Sequence, residues 1–370
     1  MWLDYNYLGI LAANQGDYEN ARKFFEVALS QAQALGDIAG QIDVQMNLGR
    51  LARLQGDSEA SLAHYEKAFA LAHEARFPDD AAQALEGMAV TYAAMGDYGI
   101  ALEILKQSLE IRQTLGDRVA IAVVLTKMAM LGTLLLKWDN VGEWASEALV
   151  IFQAVNYQDV HLGHLFMALG EASYHRDQFL KAKEYFEKAV EVFHRKSCVR
   201  EEAEALTALA KTLGNLEMWD QGLKAAQRAA ALWDKLEDSM SLSIAWRVAA
   251  ACAFGLGLRN VGFQYFFASL ALTLKFPEMV DLALADIITL AKAQRDPEVI
   301  VALGEALREF SELPPLLQML CVVFSCERER ALEAARELDK ATGYRFQLEA
   351  WRKTLMHPQR GGEHEQDVVG

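Results

Sequence analysis

Apolar and small residues in this chain recur with helical period, and the helical pattern itself repeats. Met46, Gly49, Leu51, Ala52 and Leu54 fall on one face of a helix, and a turn signal, Gln55-Gly56-Asp57, follows directly. The same turn appears at Gln15-Gly16-Asp17 and Met95-Gly96-Asp97. There glycine suits a left-handed C′ position and aspartate caps the next helix. A second helical stretch follows each turn, through Ala21, Phe25 and Ala28 or through Ala101, Leu105 and Ser108, until Leu35-Gly36-Asp37 or Leu115-Gly116-Asp117 closes the unit. We call the first helix of each unit A and the second B.

Two series of small residues keep this register. Gly9, Gly49, Ala89, Ala129, Gly170, Ala210 and Ala250 are spaced by 40 residues with one step of 41. Ala28, Ala68, Ser108, Ala148, Ala189, Ala229 and Ser269 repeat at the same interval on the B helices. A pair of antiparallel helices cannot bury its apolar face alone, and close crossing needs positions with almost no side chain. The expectation is an all-α solenoid of about eight helix-turn-helix units.

Later units keep the period with altered turns, Leu136-Lys137-Trp138 and Arg176-Asp177-Gln178. From Pro277 the register shortens: a helix to Ala293, a turn at Arg295-Asp296-Pro297 and a helix to Glu312 form a degenerate eighth unit. The array is therefore assigned to residues 1–312. Helical segments Leu316–Lys340 and Phe346–Leu355 match no unit and read as a C-terminal helical cap over 313–356, and the polar tail 357–370 reads as disordered. Nothing ahead of Trp2 caps the short first unit, so the chain is expected to be a portion of something larger.

Length and composition add limits. Solenoids add repeats without enlarging a core, so 370 residues do not imply two domains. A net charge of −15 repels nucleic acid and anionic membrane surfaces, and neither is expected as a partner. The four cysteines, Cys198, Cys252, Cys321 and Cys326, show no metal-ligand spacing and read as buried thiols in a reducing, cytoplasmic setting. No secretory signal or membrane span is legible.

Candidate chemistry is sparse. His161 and His164 share a helical face but lack carboxylates to complete a metal site, apart from Asp159. Gly255, Gly257 and Gly262 imitate part of a phosphate-binding glycine pattern, yet they fall where an inter-helix turn is already expected. No nucleophile–base arrangement emerges, and neither an enzyme nor a cofactor is expected.

Leu8 and Gly9 followed by Ala21, Phe25 and Ala28, and Leu169 and Gly170 followed by Ala182, Phe186 and Ala189, resemble the tetratricopeptide repeat motif. The resemblance covers roughly residues 1 to 310 and implies a right-handed α-solenoid acting as a non-catalytic scaffold for protein or peptide partners. The 40-residue period with Leu-Gly-Asp between units is similar to a narrower group. It includes the sensor arrays of bacterial STAND-type signalling ATPases and transcription regulators, the spindle-orienting G-protein modulators and kinesin light chain. The segment Ala302-Leu303-Gly304-Glu305-Ala306-Leu307-Arg308-Glu309 is similar to the end of the bacterial arrays.

In that fold the A helices line the concave surface, and the resemblance places the ligand-facing positions at Asn6, Asp43, Asn47, Arg50, Arg53, Glu86, Lys127, Glu171, His175, Lys211 and Arg247. Five are basic and three acidic, against 36 basic and 51 acidic residues in the whole chain, so the groove is comparatively basic. Arg50 and Arg53, one turn apart, either hold a carboxylate by charge-assisted hydrogen bonds or pair with neighbouring acids. The carboxylate clamp of the co-chaperone members is not reproduced: Asn6, Ile10, Gln83 and Gly87 stand at its positions, and only Asn47 matches. The expected function is a scaffold binding a protein or peptide segment, acidic or carboxylate-ended, in the groove. The alternative is an effector-sensing regulatory module of a larger STAND-type ATPase or transcription regulator.

Overall fold

The computed structural model describes residues 2–276, 279–293, 297–310, 313–325 and 327–356, and among them there are 19 α-helices and no strand. They fall into two compact units, Met1–Leu232 and Trp233–Gly370. In the first, helices pack in consecutive antiparallel pairs: α1 (Trp2–Asn14) on α2 (Tyr18–Leu35), α3 (Ile38–Leu54) on α4 (Ser58–Ala75) and α5 (Pro78–Ala94) on α6 (Tyr98–Leu115). The pairs α7 (Arg118–Leu134) on α8 (Trp138–Ala154) and α9 (Val160–Tyr174) on α10 (Phe179–Arg195) continue the series. Then come α11 (Val199–Asn215) and α12 (Trp219–Lys235). Odd-numbered helices are the A helices and even-numbered ones the B helices.

Each of the thirteen links between helices from Trp2 to Thr273 turns on one left-handed residue. Positive φ occurs at Gly16, Gly36, Gly56, Arg76, Gly96, Gly116, Leu136, Asn156, Asp177, Ser197, Glu217, Glu237 and Gly257, a period of 20 residues with one step of 21. The period is thus a backbone property that outlives its glycines. A residue with a Cβ costs about 1–2 kcal/mol in this conformation, which packing of the flanking helices must offset. Asp17 and Asp57 cap the next helix through the amides of Asn20 and Ala60, as the turn signal implies. Asp97, with ψ 56° against their 73° and 82°, makes no such bond.

Both small-residue series are buried throughout. In the first six units the A-helix series is also matched in size to the residue sixteen positions later on helix B, whereas in the seventh Ala250 stands at the place opposite Phe266. A Cβ built on Gly9 would stand 2.5 Å from the Phe25 ring, one on Gly170 2.5 Å from Phe186, and one on Gly49 3.0 Å from Tyr65. Where helix B offers Leu105, Ala145 or Ala226, the A position is instead Ala89, Ala129 or Ala210. Close packing tolerates no extra methylene here, so the two positions share one volume.

In the second unit α13 (Ser239–Gly255) packs on α14 (Arg259–Thr273). It continues as α15 (Val280–Ala293), α16 (Pro297–Arg308), α17 (Pro315–Val323), α18 (Arg328–Ala341) and α19 (Leu348–Met356). The span Leu316–Lys340, expected as one helical segment, is two helices. Phe324 is fully buried where α17 ends, and Arg352 donates to the Ser325 carbonyl at 2.6 Å just beyond it. Buried Asp339 of α18 then caps α19, its carboxylate accepting the amides of Leu348 and Glu349 at 2.8 and 2.9 Å. The turn residues Arg295 and Asp296, the limit at residue 312 and the tail 357–370 lie outside the described residues.

Among the described residues no helix is long and apolar enough to cross a membrane. Cys252 is buried, and its thiol pKa is pushed up to about 11. Cys321 is buried as well, whereas Cys198 is only half-buried, because it stands at the N-cap of α11. Cys326 lies outside the described residues.

Candidate functional site

Helices α1, α3, α5 and α7 line one groove with a cavity of about 510 Å³. Seven of the expected residues line it: Asn6, Asp43, Asn47, Arg50, Arg53, Glu86 and Lys127. They meet because α1, α3, α5 and α7 are successive A helices, with Asp43, Asn47, Arg50 and Arg53 on one face of α3 and the small A positions turned to the opposite side, against helix B. The Asn47 side chain donates to the Asn6 amide oxygen at 3.0 Å, which ties α3 to α1 at the groove floor.

Charge in the groove is divided. Lys127 is not a free cation, because Glu86 accepts its ammonium at 2.6 Å. Glu86 is 9% exposed and also accepts Nε and Nη2 of buried Arg112 at 3.2 and 3.1 Å, while Asp79 pairs with the remaining Arg112 nitrogen. Glu86 and Lys127 therefore form part of the wall. Asp43 forms no ion pair; burial, then Asp80 and Asp37, pushes its carboxyl pKa up.

Arg50 and Arg53 are different. Neither forms an ion pair among the described residues, so the arrangement is not the one in which they pair with neighbouring acids. Arg53 Nε is buried without an acceptor. An unmet charged donor is costly in a folded protein.

Sequence reasoning missed Tyr65. Its position on α4 is that of the motif's core aromatic, but the ring passes between α3 and α5, and the residue lines the groove. Gly87 makes this passage possible, since a Cβ there would lie 2.3 Å from the ring, and Gly49 flanks the other side. Burial pushes the phenol pKa up, and neighbouring Arg53 and Arg50 oppose that push. The legible signal was the pair of glycines flanking a tyrosine where other units have Phe, Leu or Ala.

The other four expected residues lie elsewhere. Glu171, His175 and Lys211 form a second cluster on α9, its C-cap and α11. His175 Nε2 is 3.8 Å from Glu171, the His175 ring stacks on Trp138 at 3.9 Å, and Lys211 lies 4.7 Å from the Tyr174 ring centre. Burial, followed by Lys211, lowers the His175 pKa, while burial raises that of Glu171 against the pull of Lys211. Arg247 belongs to the second unit, where Asp286 accepts its Nη1 at 2.7 Å. His164 packs edge-on against Phe193, and Gly257 takes φ 74° at the α13–α14 turn, which is the turn reading of that glycine.

Comparisons with known proteins agree with the fold. Residues 1–74 and 81–118 match models of the tetratricopeptide repeat. No curated protein matches the chain in sequence. Among solved structures, the apo form of RapI superposes with a TM-score of 0.57 at 15% identity, covering 73% of this chain and 97% of that one. A signal transduction ATPase with numerous domains and a tetratricopeptide repeat sensor, from Pyrococcus horikoshii, gives 0.56 at 12%, covering 90% of this chain and 52% of that one. A Rap protein complexed with competence and sporulation factor gives 0.54 at 14%, with 96% and 86% covered. At these identities the likeness is one of fold.

Proposed function

We propose that this chain, whose residues 1–74 and 81–118 are tetratricopeptide repeats, is a non-catalytic scaffold that binds a protein or peptide segment in the α1–α3–α5–α7 groove and holds a carboxylate of that segment at Arg50 and Arg53. The observation that carries the reading is the arginine pair itself: two guanidinium groups one helical turn apart, neither in an ion pair among the described residues, with Arg53 hydrogen-bonded to Tyr65 and keeping one buried N–H without an acceptor. Guanidinium–carboxylate bonds are short, charge-assisted and directional, so a terminal or acidic side-chain carboxylate fits both donors. Support also comes from the Rap protein of similar fold seen in complex with competence and sporulation factor.

The test is binding of peptides that end in a free acid against the same peptides ended by an amide. Arg50→Ala with Arg53→Ala is expected to weaken the free-acid peptides by about 2–4 kcal/mol without unfolding the stack, and to leave the amides nearly unchanged. Affinity for the acids falls as salt rises, because exposed charges are screened over about 8–10 Å. Lys67→Ala, on the exposed side of α4, serves as the control. Equal binding by the wild type and the double variant would end the reading.

A second reading places the same groove in a longer regulator as its effector sensor. The observation favouring it is the fold likeness to the Pyrococcus horikoshii protein, of which this chain spans 52%. The gene's full open reading frame decides it: an upstream nucleotide-binding module supports the sensor, and a stop codon at each end supports the free-standing scaffold.

A further inference from the structure

The ionic groove does not end at Lys127. Beyond it, between α5, α7 and α9, lies a second cavity of about 380 Å³ that shares Val90 and Lys127 with the groove. Its wall is apolar: Met130, Leu134, Met167, Ala168 and Phe193 contribute to it, and Val90, Met130 and Leu134 are 38%, 37% and 56% exposed. Three large apolar side chains facing one open cavity is an arrangement that a folded chain leaves uncovered at a cost, and it is the usual constitution of a ligand pocket. The motif positions of these residues read as ordinary helix filler, so the pocket was not legible in the sequence.

We propose that this pocket receives one bulky apolar side chain of the same segment whose carboxylate lies at Arg50 and Arg53, so that the groove selects a segment with its acidic and apolar groups a fixed distance apart. The proposal rests on the groove reading above. Two features argue for this occupant. The pocket is continuous with the groove through Val90 and Lys127, so an extended chain passes from one to the other without leaving the surface. The charges are also asymmetric. The arginines with no ion pair among the described residues stand at the α3 end, Lys127 is neutralised by Glu86, and the acids lining the far lip are Glu171 and Glu204, beside His164. Glu171 repels a second acid, and its own carboxyl is pushed up by burial. Acid at one end and apolar at the other is the complementary ligand.

The spacing follows from the helices. From α3 to α7 is two steps along the A helices, roughly 20 Å at about 8–10 Å per packed helix. An extended chain advances about 3.3 Å per residue, which puts the apolar side chain about six residues from the carboxylate.

The test uses the full chain and fluorescein-labelled synthetic ten-residue peptides of serine and alanine that carry no acidic side chain and end in a free carboxylate or in an amide, with one Leu or Phe moved from the second to the ninth position before the end. Affinity is expected to peak about five to seven residues from the end, about tenfold or more above the peptide without an apolar residue. Met130→Lys and Leu134→Lys, at sites 37% and 56% exposed, should remove that gain and leave the weaker, Arg50- and Arg53-dependent binding of the plain peptide. Thermal melts of both variants check folding. A gain that is absent, or equal at every register, overturns this inference while leaving the groove reading in place. Binding that depends on the apolar residue but is the same for acid and amide peptides overturns both. A dimer in sedimentation that Met130→Lys disperses would assign the pocket to a second copy of the chain and overturn the inference.

Discussion

Replacing Glu86 by Ala is expected to lower folding stability by about 3–5 kcal/mol, among the largest losses available to a single residue of the groove. Glu86 is the common acceptor of Arg112 and Lys127, and it also accepts the Ser108 hydroxyl at 3.4 Å. Without it, Arg112 keeps a guanidinium 6% exposed with only Asp79, whose own side chain is 64% exposed, as its ionic partner. A buried charge with its main partner removed is far costlier than the same site filled with apolar groups. Glu86→Leu combined with Arg112→Met should therefore return to within about 1–2 kcal/mol of the parent, far less than the sum of the single changes. Urea denaturation of the parent, Glu86→Ala, Glu86→Leu, Arg112→Met and the Glu86→Leu, Arg112→Met protein measures this. A loss below about 1 kcal/mol for Glu86→Ala, or strict additivity in the double variant, would mean that the network is not what holds α5 to α6 and α7.

The second large effect is at the helix crossings. Gly170→Ala is expected to cost about 1–3 kcal/mol, and Gly170→Leu more, because the first added carbon already stands 2.5 Å from the Phe186 ring. The paired volumes make a sharper expectation. Gly170→Ala with Phe186→Leu recreates the Ala89 and Leu105 pairing of the third unit, so the two changes should couple favourably by about 1 kcal/mol or more in a double-mutant cycle. Independent effects of the two substitutions would refute the shared-volume account of the repeat.

How much of this was legible depended on the range of the interaction. The repeat was readable because its causes are local: one left-handed residue every 20 positions and one small residue per crossing. Even Leu136 and Glu217, which break the glycine pattern, hold the same backbone, since the helices on either side require the turn. The position of the groove was readable for the same reason, because helix period fixes which residues share a face. Its charge was not. Lys127 looks like a free cation until Glu86, 41 residues earlier, is seen to neutralise it. Tyr65 looks like core until Gly87 of the next unit is seen to let it through. Pairings of that range are set by how units stack, which residue type and spacing do not encode.

The central claim is that the A-helix face of the first unit holds a carboxylate-ended segment at Arg50 and Arg53. The most direct measurement is photo-crosslinking of the full chain with a free-acid peptide carrying a benzophenone next to its C-terminal residue, with the attachment sites mapped by mass spectrometry. The account predicts attachment on the groove side of α3 and α5, around Asn47, Arg50 and Val90, and its loss in the Arg50→Ala, Arg53→Ala variant. Attachment concentrated on the B helices, such as the exposed side of α4 or α6, and undiminished in that variant would contradict it.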